Sequence, residues 1–442
     1  ILLHQTFETG HKKTIPMKFA VVTYGTEGDT RPLAALCRAL MNAGHETRLL
    51  ADAATLSSAT ALAVPSAALS GDIKKALMPG EALSTAVRRK GGFNSTAKAL
   101  AVIANANTGA WMREVANATE GCDAIIVSGL AAFVGQYRGI KAIGSGFIPI
   151  TPTADFPSPF LPPNRVPRWF NRASHRLVNG LLWQEFRKTT NAARASVCSL
   201  PARKHVWTDH PMLYGVSPNL LPQPSDWPDN VRACGQWTIA NPEWLPPPAL
   251  EEFLAGGEPP IYIGFGSMAG FNRRRLVEAL VTAVAGRRAL FYPGWSSVDM
   301  SMLPKNFFIV GETPHHWLFP RTSLAIHHGG AGTTHSAARA GIPSVVIPFA
   351  GDQFFWADRL AKLGVAAKAV NGKRLSGSEL IRSVAFADRY DVRARAKALG
   401  AAMAEENGMR DAVTAIEALM AKGVLPTAVS QIAYQHQLRR GC

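Results

Sequence analysis

Two histidines, three glycines and two threonines crowd into His327-His328-Gly329-Gly330-Ala331-Gly332-Thr333-Thr334. The run follows the apolar segment Ser323–Ile326 and precedes a helical stretch through Ala340. A strand that feeds a Gly-rich turn into a helix start presents unpaired backbone N–H groups and a partial positive charge, which together bind phosphate. The glycines let an anion approach the backbone, His328 can add a side-chain donor, and Thr333 or Thr334 can cap the helix. Taken alone, an ordinary tight turn with core histidines has the same composition. Nineteen positions after Thr333 comes Asp352-Gln353, behind the apolar run Ser344–Pro348 and the Gly351 turn. Its acceptors and donors suit sugar hydroxyls, while a plain helix N-cap by Asp352 is the competing reading. A third polar loop, Gly264-Phe265-Gly266-Ser267, closes another apolar run.

These loops need elements that bring them to one edge. Lys18–Tyr24 is a β-branched apolar run ending at Gly25, Arg31–Ala43 has helical spacing, and Glu46–Ala51 is strand-like again. That β-α-β order implies a parallel sheet with crossover helices, continued by strands at Ala124–Val127 and Lys141–Ile143. Ile73–Thr119 and Trp169–Val197 read as long helical stretches. A second strand–Gly–helix series begins at Pro260–Phe265, with strands at Ala289–Tyr292, Phe307–Val310, Ser323–His327 and Ser344–Ile347. The fold class is therefore α/β, with two Rossmann-like domains whose carboxyl sheet edges share a central cleft, where open α/β sheets bind ligands. The expected division is an upstream extension at 1–16, a first domain at 17–225, a Pro-rich connector at 226–250, a second domain at 251–420 and a tail at 421–442.

The chain has 442 residues, of which 47% are hydrophobic and 18% charged, enough to bury a sizeable interior and to exclude global disorder. Lys and Arg number 47 against 31 acids, a net charge of +16. Residues 1–225 hold 24 basic against 13 acidic side chains, so +11 of the excess lies in the first half. Such an excess suits nucleic acid, an anionic membrane or a phosphorylated ligand. The five cysteines are widely spaced without a C-x-x-C pair, which implies neither a disulfide framework nor a zinc site and points to a reducing, cytoplasmic compartment. Ile1–Pro16 lacks the apolar core of a signal peptide.

His328 to Thr333, with Ala340-Gly341-Ile342-Pro343, Val346-Ile347-Pro348 and Gly351-Asp352-Gln353-Phe354-Phe355-Trp356, resembles the donor-binding motif of family 1 glycosyltransferases of the GT-B fold. The nearest likeness is to bacterial natural-product and sterol glucosyltransferases. Gly25-Thr26-Glu27-Gly28-Asp29-Thr30-Arg31-Pro32 joins it, so the resemblance runs from Met17 to about Met420. It implies transfer of a sugar from a UDP- or TDP-sugar to a hydroxyl of a hydrophobic acceptor such as a sterol, polyketide or lipid. His328 and the backbone of Gly330, Ala331 and Gly332 would hold the diphosphate; Gly266, Ser267 and Thr333 would add contacts; Asp352 and Gln353 would hold the sugar; and the Val310–Pro314 loop would hold the base. Many plant members stack a Trp on uracil there, whereas this chain has Val310 and places Trp317 later. Asp29 occupies the place of the general base, a weak one with an ordinary pKa near ~4, useful late in the transition state. A helix cap is the alternative role for Asp29.

No D-x-D motif or metal-ligand spacing occurs, so no metal or other cofactor is expected, and the leaving diphosphate would be stabilised by preorganised dipoles. With one candidate base and no second nucleophile, inversion at the anomeric carbon is expected. His315 and His316 read as surface or capping residues, and His335 as structural. Acceptor choice would lie in the first domain, where Arg165, Arg168, Arg172 and Arg176 surround Trp169 and Phe170, a composition suited to peripheral contact with the inner membrane surface or to a solvated face over an acceptor pocket. Competing readings are a non-catalytic nucleotide-sugar or lipid-binding protein and a sugar-nucleotide epimerase. A nucleic-acid partner is disfavoured by the absence of any recognition motif.

Overall fold

The computed structural model describes residues 15–76, 93–128, 132–206, 210–241, 243–266, 272–294, 298–372 and 375–421. Seven parallel strands form the first sheet: β1 (Lys18–Val22), β2 (Glu46–Asp52), β3 (Ser66–Leu69), β4 (Ala124–Val127), β5 (Lys141–Gly146), β6 (Met212–Tyr214) and β7 (Val231–Ala233), in the order β3-β2-β1-β4-β5-β6-β7. Five more form the second: β8 (Ile261–Gly264), β9 (Ala289–Tyr292), β10 (Phe307–Ile309), β11 (Leu324–His327) and β12 (Ser344–Val346), in the order β10-β9-β8-β11-β12. Both are doubly wound. Strand order reverses at β1, between β2 and β4, and at β8, between β9 and β11. Crevices at such switch points, beyond the carboxyl ends, are where these sheets bind ligands.

The strands are apolar on both faces, as parallel strands covered by helices must be. β4 and β8 are buried along their whole length. Helix Glu27–Asn42 covers the first sheet with Leu33, Leu36, Cys37 and Leu40, all inaccessible to solvent. It starts four residues before the expected Arg31, because Thr26 caps it and the Asp29 carboxylate bonds back to the Thr26 N–H at 2.9 Å. Most of the Gly25–Pro32 motif is therefore helix rather than loop. Cys37, Cys122, Cys198 and Cys234 are free thiols.

The division between domains differs from the expected one at both ends. Strand β7 lies inside the expected connector, yet it pairs with β6 from Met212↔Val231 to Tyr214↔Ala233. Helix Gly408–Ala421, expected in the second domain, crosses back to the first: Ala412, Val413, Ala415 and Ile416 join Leu33, Leu36 and Leu40 in one apolar cluster. His45 Nε2 lies 3.3 Å from Glu417 Oε1 at the same contact. A second seam is aromatic, with Phe156 of the first domain 5.3 Å from Phe355 of the second, centroid to centroid. Two seams thus hold the carboxyl edges across from one another.

Ile416 is fully buried, so truncation to Ala removes core volume from the first domain although the residue is near the end of the chain. Ile416→Ala is expected to cost about 2–5 kcal/mol in denaturant unfolding; a change below about 0.5 kcal/mol would mean that the helix is not part of that core.

Candidate functional site

Strand β11 ends in His327, whose buried ring accepts from the Gly329 N–H through Nδ1 at 3.1 Å. That bond sets the turn. Gly329 has φ +90°, and a Cβ there would lie 2.8 Å from Val346 Cγ1 and 2.9 Å from the Gln353 carbonyl. Only glycine therefore lets the phosphate-type turn pack directly on the Asp352-Gln353 segment. Helix Ala331–Arg339 follows with Gly330 as its N-cap and no side-chain capping bond. Neither Thr333 nor Thr334 caps it, contrary to expectation, because both fall inside the helix, and Thr334 is buried with its hydroxyl unpartnered. The first N–H groups, at Ala331, Gly332 and Thr333, have no intrahelical carbonyl to meet. At the positive end of the helix dipole such donors are suited to an anion.

His328 lies half-buried against Gly266 and Gly330. Burial pushes its pKa down to about 4, against an opposing pull from the Gly264 backbone. At neutral pH it offers an uncharged hydrogen-bonding ring rather than a cation. His335, one turn on, is structural as expected: its Nδ1 meets the Ala331 carbonyl at 2.7 Å and its Nε2 accepts from the Ser217 N–H at 3.2 Å. His315 departs from the surface reading. Its ring stacks on Phe319 at 4.2 Å and burial lowers its pKa to about 3, whereas His316 is exposed.

The loop after β10 needs a similar revision. The Val310 side chain is buried with Tyr262 and Leu318 beneath the loop, so a base could meet only the backbone here. Trp317 packs on Trp244, with Arg321 over its ring at 4.3 Å. Ser267 lies outside the described residues, while Gly266, at φ +58°, is beside His328.

Asp352 occupies the N-cap position of helix Gln353–Lys362 yet makes no capping bond; its Oδ2 accepts from Trp356 Nε1 at 2.9 Å. Burial raises its pKa to about 6, the Trp356 bond opposes this, and Asp29 adds a further upward push from the other domain. Gln353 is buried, and its Oε1 accepts from the Phe349 and Ala350 N–H groups at 2.8 and 3.1 Å, which holds the loop closed.

From the first domain comes Asp29. Burial raises its pKa and the Thr26 bonds oppose the rise. A Cβ at Gly25 would lie 2.2 Å from Asp29 Oδ2, so glycine makes room for the carboxylate. The structure shows the helix-bracing role of Asp29, one of whose oxygens accepts from Thr26, and its charge adds to the raised pKa of Asp352. Arg31, one helical turn after Glu27, pairs with that residue at 3.5 Å and, across the cleft, with Glu312 of the β10 loop. Sequence reasoning missed this cross-domain pair and the Trp356 bond. The first has no local signal, and the second has an i,i+4 spacing that reads as ordinary core packing.

Four buried or half-buried histidines couple the site to pH. His315, His327, His328 and His335 have folded pKa values of about 3, 3, 4 and 4, against 6.5 for an unperturbed ring. As pH falls through 6.5 the unfolded chain takes up protons that the native rings refuse, so stability is lost. Asp352 and Asp29, with raised values, act in the opposite sense but are fewer. Melting temperature is therefore expected to fall between pH 7 and pH 5, and a rise over that window would contradict the burial of these rings.

Comparison with known proteins adds a separate line of observation. Residues 282–419 match the family model of the erythromycin biosynthesis protein CIII-like C-terminal domain. The chain is 32% identical to O-mycaminosyltylonolide 6-deoxyallosyltransferase of Streptomyces fradiae, covering 91% of this chain and 97% of that protein. It is 29% identical to a sterol 3-beta-glucosyltransferase of Arabidopsis thaliana, over 91% of this chain and 68% of that one. With the sterol 3-beta-glucosyltransferase of Debaryomyces hansenii the identity is 29%, over 93% of this chain but 27% of the longer relative. The solved structure of glycosyltransferase VinC in complex with DTDP superposes with a TM-score of 0.64 at 16% identity, over 92% of this chain and 100% of that one. At that identity the likeness concerns the fold.

Proposed function

The chain belongs to the family 1 glycosyltransferases of the GT-B fold, and on that premise we propose that it transfers a hexose from a UDP- or TDP-sugar to a hydroxyl of a hydrophobic acceptor. The observation that carries this reading is the placement of Asp29 and Asp352 at helix starts on the carboxyl edges of the two sheets, near enough for the Asp29 charge to add to the raised pKa of Asp352. One belongs to the half that would hold the acceptor, the other to the half that would hold the donor.

The steps follow from the geometry. The donor's diphosphate lies at the N-terminus of helix Ala331–Arg339, against the N–H groups of Ala331, Gly332 and Thr333 and beside His328 and Gly266. Charge that develops on the leaving diphosphate is met by dipoles already in place, which need no reorganisation and no metal ion. His328, neutral at the working pH, contributes a hydrogen bond rather than a charge. Asp352 and Gln353 hold the sugar, and the backbone after Val310 holds the base. Asp29 accepts the acceptor hydroxyl's proton as the new glycosidic bond forms on the face opposite the leaving group, so configuration inverts. Its raised pKa makes it a stronger base than an exposed carboxylate.

The acceptor side is apolar and aromatic. Tyr24, immediately before Gly25, packs on Trp111 with centroids 4.3 Å apart. The named activities of the relatives, on a sterol and on a macrolide-type alcohol, support a rigid apolar acceptor. Near the start of helix Asn171–Cys198, Trp169 is 83% and Leu177 51% exposed, with Arg165, Arg168 and Arg176 exposed around them. No helix among the described residues is long and apolar enough to cross a membrane. The composition of this face favours peripheral contact with an anionic bilayer, through which a lipid-soluble acceptor would arrive.

Two outcomes are expected. A thermal-shift panel of UDP- and TDP-sugars should reveal a stabilising donor, and with it Asp29→Asn should lose at least about a hundredfold in kcat while keeping the donor-induced shift; wild-type turnover would remove Asp29 as base, and retained anomeric configuration by NMR would remove direct displacement. Co-sedimentation with anionic vesicles at low salt should weaken when Trp169 and Arg168 are replaced by Ala, and absence of binding by the unaltered protein would remove the membrane contact.

A further inference from the structure

One helical turn beyond Asp352 stands Trp356, fully buried among Ala338, Phe355, Leu360 and Met403. Its ring meets His335 edge-on at 5.0 Å. His335 is itself fixed between the Ala331 carbonyl and the Ser217 N–H, so the indole packs on a ring that ties the phosphate-type helix to the β6–β7 loop of the first domain. The sole polar atom of an indole is its N–H, and leaving it unpaired in such a place costs about 1–3 kcal/mol. Here it donates to Asp352 Oδ2 at 2.9 Å.

The bond acts on both partners. A side chain at an N-cap position ordinarily turns back to the helix N–H groups, but Asp352 makes no such bond and is drawn to the indole instead. The carboxylate takes one bond from the indole and one from its own backbone N–H, and its remaining lone pairs can accept a ligand hydroxyl. We propose that Trp356 is a positioning residue for the donor sugar: its N–H holds the Asp352 carboxylate in the orientation and the ionised state that accept a sugar hydroxyl. This rests on the reading that Asp352 meets the donor sugar. Two influences work against ionisation, burial and the facing Asp29 carboxylate, and the indole N–H counters them. The rigid indole thus sets both where the acceptor oxygen is and down to what pH it can accept.

The test is a cycle of four full-length proteins: unaltered, Trp356→Phe, Asp352→Asn and the double variant. For each, donor KM and kcat/KM are measured from pH 5 to 8, together with the affinity for free UDP and TDP. Trp356→Phe is expected to raise the donor KM about tenfold, to leave UDP and TDP affinity within about twofold, and to move the acid limb of kcat/KM upward by about a unit. The limb moves upward because loss of the N–H lets burial and Asp29 raise the Asp352 pKa further. In the Asp352→Asn background the same substitution should change the donor KM less than twofold. An acid limb unmoved by Trp356→Phe, or an equal KM penalty in both backgrounds, would reduce Trp356 to packing and overturn the proposal. If Asp352→Asn alone leaves the donor KM unchanged, the sugar-site reading itself fails. Should the phenylalanine variant not fold, benzothienylalanine at position 356 keeps the ring's size and removes the N–H, with the same outcomes expected.

Discussion

Asp29 stands at the carboxyl edge of the first sheet and Asp352 at that of the second, and each is tethered to its own domain by an N–H. Asp29 is held by the Thr26 backbone and Asp352 by the Trp356 indole. Like charges brought together in a half-buried space repel, and both groups have raised pKa values in consequence of burial, with Asp29 adding to the effect on Asp352. The arrangement persists because the seams elsewhere are strong. Helix Gly408–Ala421 buries four apolar side chains in the first domain's core, and the Phe156–Phe355 contact closes the other side. Free energy from apolar burial at these seams thus offsets an electrostatic cost within the site.

That division of labour explains what could be read from the chain alone. Strands such as Ala124–Val127 and Ala289–Tyr292 are continuous apolar runs between breakers, and both were legible to the residue. Strands β3 (Ser-Ala-Ala-Leu) and β7 (Val-Arg-Ala) escaped because they lack a continuous bulky apolar run, β6 because its three residues sit just after a proline, and Pro-rich surroundings made β7 resemble a connector. The Gly25–Pro32 segment looked like a loop, since Gly and Pro usually interrupt helices. What permits a helix there is a side-chain bond between Asp29 and Thr26, three residues apart, which composition does not reveal.

The same holds for the site. The phosphate-type turn and the Asp352-Gln353 segment were legible because their residue types are unusual after a strand. The Arg31–Glu312 pair joins positions 281 apart and has no signature in either neighbourhood. Trp356 has helical spacing from Asp352, but an aromatic at that spacing is ordinarily core. Only the direction of its N–H gives it a further role. The basic excess reads differently once placed. In the proposed reading phosphate recognition would rest on an uncharged turn and a neutral His328, while exposed arginines lie near Trp169 in the first domain, so net charge would concern the acceptor side more than the donor.

The influence of the Asp29 charge on Asp352 can be measured directly. Carbon-detected NMR titration of the aspartate carboxyl groups should find Asp352 with a midpoint of about 6. Replacing Asp29 by Asn removes the facing charge without touching Asp352's own contacts, and the Asp352 midpoint should then fall. A midpoint unchanged by Asp29→Asn would show that the two groups do not face each other across a closed cleft, and would separate the proton acceptor from the sugar site on which the proposed transfer depends.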